Sequence, residues 1–328
     1  MPRSLPRDRP VPETSLSILD RVKTCKSLPV LTPLASKILK MCEDEKINAS
    51  DLAQLISQDP GMVAQILFMA NSAYYGGLRH KVTSVVQAVN LLGFSTIANL
   101  ALSLCFYRLI KDLRHTKRSG MDHVGYWRRS IFASAAGQAL AHHLSLPDPD
   151  LVFLGALLQD IGILALNEVV PEEVGELYGK AGDSHTALPQ RELEQLGVDH
   201  PQVGAWLAQH WELPEEFQLA ILYHHTPEFF ETPTDCQPLV DSVALAGIIA
   251  DMWTSSDPEA ALEAVKAHSQ GRLTVTAEEW GPVLQHINGT LPKIASFFHT
   301  RLGNWEDITH TYRLALKHLA PSYHPHSA

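Results

Sequence analysis

The stretch that decides the fold lies at residues 56–77 and has the sequence ISQDPGMVAQILFMANSAYYGG. Asp59 can cap the N-terminus of a helix, and Pro60 then takes the first helical position, where its missing N–H costs nothing. Mostly apolar residues run from Met62 to Tyr74, and Gly76-Gly77 indicates the end of the helix. The stretch therefore predicts a short helix that packs into a core.

Short helices are predicted in the same way on both sides of this stretch. Ser50 and Thr83 are candidate N-caps for the helices before and after it. Asp150 is the candidate cap of a single, very apolar helix that extends to Ala165. Because no run alternates between apolar and polar residues with period two, we expect an all-α protein, a globule of many short helices.

The distribution of prolines, glycines and charges divides the chain into four segments. Residues 1–13 contain four prolines and no periodicity, which predicts a flexible tail. A polar, basic stretch from Lys111 to Gly120 is the best boundary between two lobes. We therefore predict an N-terminal lobe at 14–118, a second lobe at 119–268 and a C-terminal helical extension at 269–328.

The composition is that of a globular protein, with 45% of the 328 residues apolar and 19% charged. A net charge of −10 argues against a general nucleic-acid binder. The four cysteines are scattered, without a C-x-x-C motif, so we expect free, buried thiols. No uninterrupted apolar run approaches about 18 residues. The sequence thus predicts a cytoplasmic protein that binds neither nucleic acid nor membranes.

Residues 50–73 have the outline of a helix-turn-helix, yet its second helix contains no Lys or Arg. Base readout and phosphate contacts both need donors of that kind, so we expect this helix to pack in the core. A partner-binding patch is the alternative for its crowded Met and aromatic residues, because such side chains suit adaptable interfaces. These residues are Met62, Phe68, Met69, Tyr74 and Tyr75.

A set of motifs spread over residues 15–250 carries a family resemblance. The most specific is Gln58-Asp59-Pro60 followed by Asn71-Ser72-Ala73-Tyr74-Tyr75-Gly76. Others are Tyr126-Trp127-Arg128-Arg129-Ser130, the segment from Leu154 to Gly162, Asp199-His200, Trp211-Glu212-Leu213-Pro214 and His224-His225. Together they resemble the HDOD family, bacterial signalling modules related to HD-type metal-dependent phosphohydrolases. The resemblance implies a two-lobed, all-α fold with an HD-like second lobe, and a regulatory role.

HD phosphohydrolases hold a divalent metal with one histidine, an adjacent His-Asp pair and a distal aspartate. By resemblance, the first histidine falls on Arg129, the pair on Gln159 and Asp160, and the distal aspartate on Asp251. A carboxamide is a poor ligand and a guanidinium is none, because it stays protonated. The resemblance therefore implies a degenerate site with no catalytic residue, no resident metal and no cofactor.

Three histidines fall on auxiliary positions of the HD family, namely His200, His224 and His225. Any residual metal site would use these together with Asp160 and Asp251. The alternative is that they are helix-terminal and core histidines with satisfied hydrogen bonds. His200, for example, precedes Pro201 at a predicted helix start.

Arg129 suggests a more specific hypothesis, that its side chain takes the place of the metal ion in this degenerate site. Its guanidinium would lie where the metal lies in the enzymes and pair with Asp160 and Asp251, because buried carboxylates need a counter-charge. Replacing Arg129 by Ala would then cost about 3 kcal/mol by leaving a buried charge unpaired. The alternative is that Arg129 points to solvent.

These expectations favour a non-catalytic signalling module that acts through contacts with other, unidentified signalling proteins. A cleft between the two lobes is where we expect any small ligand, such as a nucleotide. The alternative is a divergent metal-dependent phosphohydrolase acting on a nucleotide or a cyclic dinucleotide. The sequence names no partner, input signal or oligomeric state.

Overall fold

The structure is a computed structural model that describes residues 17–28, 30–44, 46–72, 75, 81–113, 121–146, 148–178, 185–230 and 235–323. None of these residues lies in a β-strand, and the fold is all-α as predicted. The predicted tail, the glycine pair 76–77 and most of the predicted inter-lobe stretch lie outside the described residues. The proposed segment boundaries remain predictions.

The α-helices are numbered in chain order. The first seven are α1 (Ile18–Thr24), α2 (Pro33–Cys42), α3 (Ala49–Ile56), α4 (Pro60–Ala70), α5 (Val85–Leu92), α6 (Phe94–Leu113) and α7 (His123–His143). The next five are α8 (Pro149–Leu158), α9 (Ile161–Val169), α10 (Pro171–Tyr178), α11 (Leu188–Leu196) and α12 (His200–His210). The last five are α13 (Glu215–Tyr223), α14 (Gln237–Thr254), α15 (Pro258–His268), α16 (Ala277–Phe297) and α17 (Trp305–Leu319). Two short 3-10 helices cover His185–Ala187 and Pro227–Phe229.

Helix α4 begins as its sequence predicts. The Asp59 side chain accepts a hydrogen bond from the Met62 N–H at 2.9 Å, and Pro60 is the first helical residue. Met62 and Met69 are buried, as expected for a helix that packs in the core. The helix ends at Ala70 rather than at Tyr74. Phe68 is 44% exposed, so the expectation that Phe68 lies in the core is wrong.

The N-caps predicted at Ser50, Thr83 and Asp150 are each wrong by one or two residues. The observed caps are Asn48, Ser84 and Asp148, whose side-chain oxygens accept hydrogen bonds from the free backbone N–H groups. Asp150 instead accepts hydrogen bonds from side chains of other helices. Its partners are Thr96 at 2.7 Å, Gln138 at 2.8 Å and Tyr75 at 3.1 Å. Tertiary contacts therefore decided which of two nearby aspartates caps the helix.

Helix α7 lies at the centre of the fold, where α8, α14 and α16 all pack against it. It is buried almost continuously from Tyr126 to Ala141. An aromatic cluster joins α7 to α6 and to the end of α16. In it, the ring centroid of Trp127 lies 5.0 Å from that of Tyr107 and 5.1 Å from that of Phe298. Helix α16 therefore shares a core with α6 and α7.

The predicted single helix from Asp150 to Ala165 is in fact two helices, α8 and α9, with Gln159 and Asp160 at the break. After the break, α9 packs closely on α12. A Cβ atom added to Gly162 would lie 2.0 Å from the His200 carbonyl oxygen, so only glycine fits there. Among the described residues, 149–169 is the one stretch long and apolar enough to cross a membrane, and 89% of its window is buried inside the protein.

Two further details differ from the sequence-based expectations. Helix α15 was not predicted, although Asp257 caps it and Pro258 follows, the same signal that marks α4. All four cysteines are free, but they are not all buried, since Cys105 is buried while Cys42 is exposed at the end of α2. The exposure of each thiol depends on its position in the folded helix, which the spacing of the cysteines did not reveal.

Candidate functional site

The site is centred on Arg129, whose buried guanidinium projects from α7 towards the α8–α9 break and α14. Its Nε donates a hydrogen bond to Asp251 Oδ1 at 2.9 Å, and Nη1 donates one to Asp160 Oδ2. Nη2 donates to the Gly247 carbonyl oxygen at 3.1 Å. Arg129 thus lies between the two aspartates, as hypothesised, and does not point to solvent.

Gln159 and Gly247 complete the surroundings of the guanidinium. With its amide oriented to satisfy its hydrogen bonds, Gln159 accepts from Arg129 Nη1 at 3.2 Å and donates to the Val243 carbonyl oxygen at 3.2 Å. A Cβ atom at position 247 would lie 2.9 Å from the Gln159 side chain and 3.3 Å from Arg129. The absence of a side chain at Gly247 therefore makes room for both.

Asp160 is the most highly connected group of the site. Besides Arg129, its Oδ1 lies 3.0 Å from His185 Nε2, 3.2 Å from His224 Nε2 and 3.5 Å from His200 Nε2. Burial would raise the pKa of Asp160, but the charge of Arg129 and the contact with His185 outweigh it and hold the pKa well below its usual range. Asp160 is therefore an anion inside the protein.

Four imidazoles surround the side of Asp160 that faces away from Arg129. They belong to His185, His200, His224 and His225. One nitrogen of each ring and one oxygen of Asp160 all lie within 4.8 Å of one another. Burial lowers the pKa values of His185, His224 and His225, so these three rings are neutral at pH 7. The predicted auxiliary histidines are thus brought together with Asp160, whereas Asp251 contacts the site through Arg129.

His200 differs from the other three because a buried carboxylate faces it. Glu192 Oε2 lies 2.7 Å from His200 Nδ1 and accepts the His200 backbone N–H at 2.8 Å. Tyr178 donates its hydroxyl hydrogen to Glu192 Oε1 at 2.8 Å. Burial would lower the pKa of His200, but Glu192 and Asp160 raise it to about 9. His200 is therefore charged at pH 7 and is held by a buried ion pair.

An HD-type metal does not fit between Asp160 and Asp251, because the Arg129 guanidinium lies there and carries the same sign of charge. The position between Asp160 and the neutral imidazoles of His185, His224 and His225 is chemically suited to a divalent ion. His224 Nδ1 donates to the Ile221 carbonyl oxygen at 2.7 Å, which leaves the lone pair of Nε2 facing Asp160. His225 Nε2 is buried and has no hydrogen-bond partner among the described residues. The idea that all these histidines have satisfied hydrogen bonds is therefore wrong for His225.

A cavity of ≈ 590 Å³ opens beside this centre and is bordered by α7, α10, α11 and α15. Arg128, Arg129 and Arg191 line it together with Asp160, His185 and Asp251. Its volume falls within the range of small-molecule sites. A second cavity, of ≈ 390 Å³, is lined by Asp59, Arg108 and other residues of α2, α3 and α6. The predicted ligand cleft between the two lobes remains a prediction.

Sequence reasoning missed His185, Glu192 and Tyr178. His185 is one of 17 histidines and stands in a segment without periodicity, so nothing in the sequence singled it out. Spacing alone gives no reason to single out Glu192, which lies in an amphipathic helix. Its side chain is nevertheless fully buried. A buried acid that binds a histidine eight residues later depends on how α11 turns into α12, which only the folded structure shows.

The HDOD domain model matches residues 28–227, which is more than half of the chain. The chain belongs to the HDOD family. A relative from Treponema pallidum (strain Nichols), named "Uncharacterized protein", is 25% identical over 288 residues. That match covers 85% of this chain and 53% of the relative, so the HDOD chain spans about half the length of the curated relative it matches.

Two solved structures show the same fold. One is a protein from Shewanella amazonensis SB2B named "Putative phosphohydrolase", with a TM-score of 0.65, 21% identity, and coverage of 87% of this chain and 98% of the other. The other is an HDOD domain protein with unknown function from Geobacter sulfurreducens, with a TM-score of 0.62 and 20% identity. That match covers 91% of this chain and 97% of the other. This HDOD protein therefore shares its fold with both of these proteins.

Proposed function

We propose that this HDOD protein is a non-catalytic, cytoplasmic signalling module that acts through contacts with other proteins. The observation that carries the proposal is the Arg129 guanidinium between Asp160 and Asp251. A metal ion at that position would activate water by lowering its pKa, whereas a guanidinium neutralises the carboxylates without doing so. The site keeps a cation at the HD position, with a single positive charge in place of a divalent ion, and loses the hydrolytic chemistry that the metal would supply.

The cavity beside Arg129 is the proposed place for a regulatory ligand. Arg128 and Arg191 border it, and arginine donors suit phosphate groups. A nucleotide is the ligand class that this volume and these donors favour. Binding there would contact α7, and α7 packs against both α14 and α16, so a ligand could alter the surface that partners meet.

Exposed apolar side chains on two neighbouring helices support the protein-contact part of the proposal. Phe68 on α4 is 44% exposed, and Val86 and Leu91 on α5 are 42% and 52% exposed. Large apolar residues at a surface are often found where proteins associate. A Phe68→Glu variant should lose partners captured by the wild-type chain, while its melting temperature stays unchanged because the side chain is not in the core.

The experiment that tests the proposal combines metal analysis with a hydrolysis assay. Purified protein with added Mn²⁺, Fe²⁺ or Mg²⁺ is incubated with bis(p-nitrophenyl) phosphate and with a cyclic dinucleotide. We expect no turnover above that of an Asp160→Asn control. Turnover that the Asp160→Asn substitution abolishes would overturn the non-catalytic assignment.

A gain-of-ligand variant provides the converse test. Replacing both Arg129 and Gln159 by His creates an imidazole and a His-Asp pair where the wild type has a guanidinium and an amide. We expect this double variant to bind one more equivalent of Mn²⁺ than the wild type, because imidazole and carboxylate suit such ions. Equal binding by both proteins would show that Arg129 is not what excludes the metal.

The second candidate function is a divergent metal-dependent phosphohydrolase acting on a nucleotide or a cyclic dinucleotide. The observation in its favour is the cluster of Asp160 with four imidazoles, which offers ligands of the kind that zinc, iron and manganese accept. Tight, stoichiometric metal that a His224→Gln substitution removes, accompanied by turnover, would support this candidate. Metal binding without turnover would instead identify a structural or sensing ion.

A further inference from the structure

Three histidines lie together at a second place in the protein. His142 and His143 are the last two residues of α7, and His286 lies in the middle of α16. Their ring centroids are 5.0 Å apart for His142 and His143, 5.2 Å for His142 and His286, and 5.3 Å for His143 and His286. One nitrogen of each ring lies within 4.8 Å of the other two.

This triangle is separate from the Asp160 cluster. His142 follows Arg129 by thirteen residues on the same helix, which corresponds to about 20 Å along the helix axis. His286 also lies outside residues 28–227, the part that matches the HDOD domain model. The three rings therefore lie where the matched domain meets α16, a helix outside it.

We propose that His142, His143 and His286 form a binding site for a divalent transition metal, with Zn²⁺ as the reference ion, that fastens α16 to α7. Three imidazoles are a sufficient protein ligand set for zinc when a water or another small ligand takes the fourth position. The fourth position would face solvent, because His142 is exposed while the other two rings are partly buried. Ligand atoms of a tetrahedral zinc ion are about 3.3 Å apart, so nitrogen atoms that lie within 4.8 Å of one another need to approach by up to about 1.5 Å.

An unpaired atom inside the triangle gives a separate reason for a ligand. His143 Nε2 is shielded from solvent and has no hydrogen-bond partner among the described residues. Buried polar atoms nearly always have a partner, and a metal ion would supply one. His142 and His143 also stand at the C-terminal end of α7, where the helix dipole favours a cation.

The protonation states of His143 and His286 suit metal binding. Burial, together with the neighbouring His142, lowers the pKa of His143. Burial, the proximity of the other two rings and the charge of Lys293 lower the pKa of His286 to about 4. Neutral imidazole is the form that binds metals, so an ion need not displace a proton from these two rings at pH 7.

The proposal is tested on the full chain after removal of metals with EDTA. Zn²⁺ binding is measured by titration calorimetry, and Co²⁺ is added separately to detect the visible absorption of a tetrahedral site. We expect His286→Gln to bind one equivalent fewer than the wild type, or to bind it at least about 100-fold more weakly, since loss of an outer-shell partner alone costs 10–100-fold. Zn²⁺ should raise the melting temperature of the wild type by more than that of the variant.

Three controls keep the result specific. His142→Gln, at an exposed position, should give the same loss as His286→Gln without disturbing the packing of α16. His310→Gln changes an exposed histidine of α17 and should leave binding unchanged. Changing both His324 and His326 to Gln should also have no effect. Wild-type stoichiometry and affinity in both His142→Gln and His286→Gln would overturn the proposal.

A variant in the Asp160 cluster separates Zn²⁺ binding there from Zn²⁺ binding at the histidine triangle. His224→Gln should retain the equivalent of Zn²⁺ that His286→Gln loses, because the two sites share no ligand. If His224→Gln abolishes all Zn²⁺ binding, the triangle holds no ion and the inference fails. Neither outcome depends on whether the protein hydrolyses a phosphodiester.

Discussion

Replacing Arg129 by Met is the most informative perturbation of this protein. Methionine keeps much of the apolar volume of the arginine stem and removes the charge and all of its donors. Asp160 and Asp251 then lose the cation that lies between them, and the Gly247 carbonyl oxygen loses its donor. The expected result is a large loss of stability with little change in packing.

The magnitude follows from what each aspartate retains. Asp160 is 1% exposed, but it keeps the charged His200 at 3.5 Å as a partial counter-charge. The Asp251 side chain is 12% exposed and borders the cavity, so water can solvate part of its charge. Removal of one partner from a buried pair costs about 3–5 kcal/mol, and these two compensations favour the lower end, about 3 kcal/mol.

The assay is urea unfolding at pH 7 in EDTA, followed by circular dichroism and by tryptophan fluorescence. The comparison uses four proteins: wild type, Arg129→Met, the Asp160→Asn and Asp251→Asn double variant, and the triple variant. In the double-variant background the methionine should cost less than about 1 kcal/mol, because no buried anions remain to be left unpaired. Arg129→Lys serves as a control that keeps the charge but loses the planar fork, and its loss should be intermediate.

A small effect would refute the reasoning. If Arg129→Met costs less than about 1 kcal/mol in the wild-type background, the guanidinium is not the structural counter-charge of the site. Equal costs in the two backgrounds would lead to the same conclusion, since coupling between the arginine and the aspartates would then be absent. The slope of the unfolding free energy against urea should stay constant across the four proteins.

Two further predictions test the packing and the buried ion pair. Gly162→Ala should lower the free energy of unfolding by more than about 3 kcal/mol, because its Cβ would lie 2.0 Å from a backbone carbonyl oxygen. Gly289→Ala, whose Cβ would meet no atom within 4 Å, should instead stabilise α16 by about 0.5–1 kcal/mol. Similar effects of the two alanines on the melting temperature would contradict the close approach of α9 and α12. Because the pKa of His200 is raised to about 9, its ion pair stabilises the fold fully below the unfolded value of about 6.5 and loses that contribution as the pH rises through 9. Unfolding free energies in EDTA should therefore fall by up to about 3 kcal/mol between pH 6.5 and 9, and Glu192→Gln should flatten this dependence. A steep dependence that persists in the Glu192 variant would point to another group.

The sequence predicted the parts of the fold that local signals determine. Asp59-Pro60 marks the start of α4 because an acceptor side chain and a residue without an N–H suit a helix N-terminus in any context. The family resemblance assigned Arg129, Asp160 and His224, which are far apart in the sequence, to a single site. Local signals were not enough to choose between Asp148 and Asp150 as the cap of α8. Both carboxylates also accept hydrogen bonds from other parts of the fold, and only the structure shows that Asp148 is the cap.

By itself, then, the sequence determined the all-α class, the start of α4 and the chemical identities of the groups at the HD-like position. Only the tertiary structure decided the direction of the Arg129 side chain, the break between α8 and α9, and the presence of His185 and Glu192 in the site. It also brought His286 to His142 and His143 across a long separation in the chain. The physical reason is range: capping and periodicity act within a few residues, whereas the burial and pairing of a charge depend on every helix that packs around it.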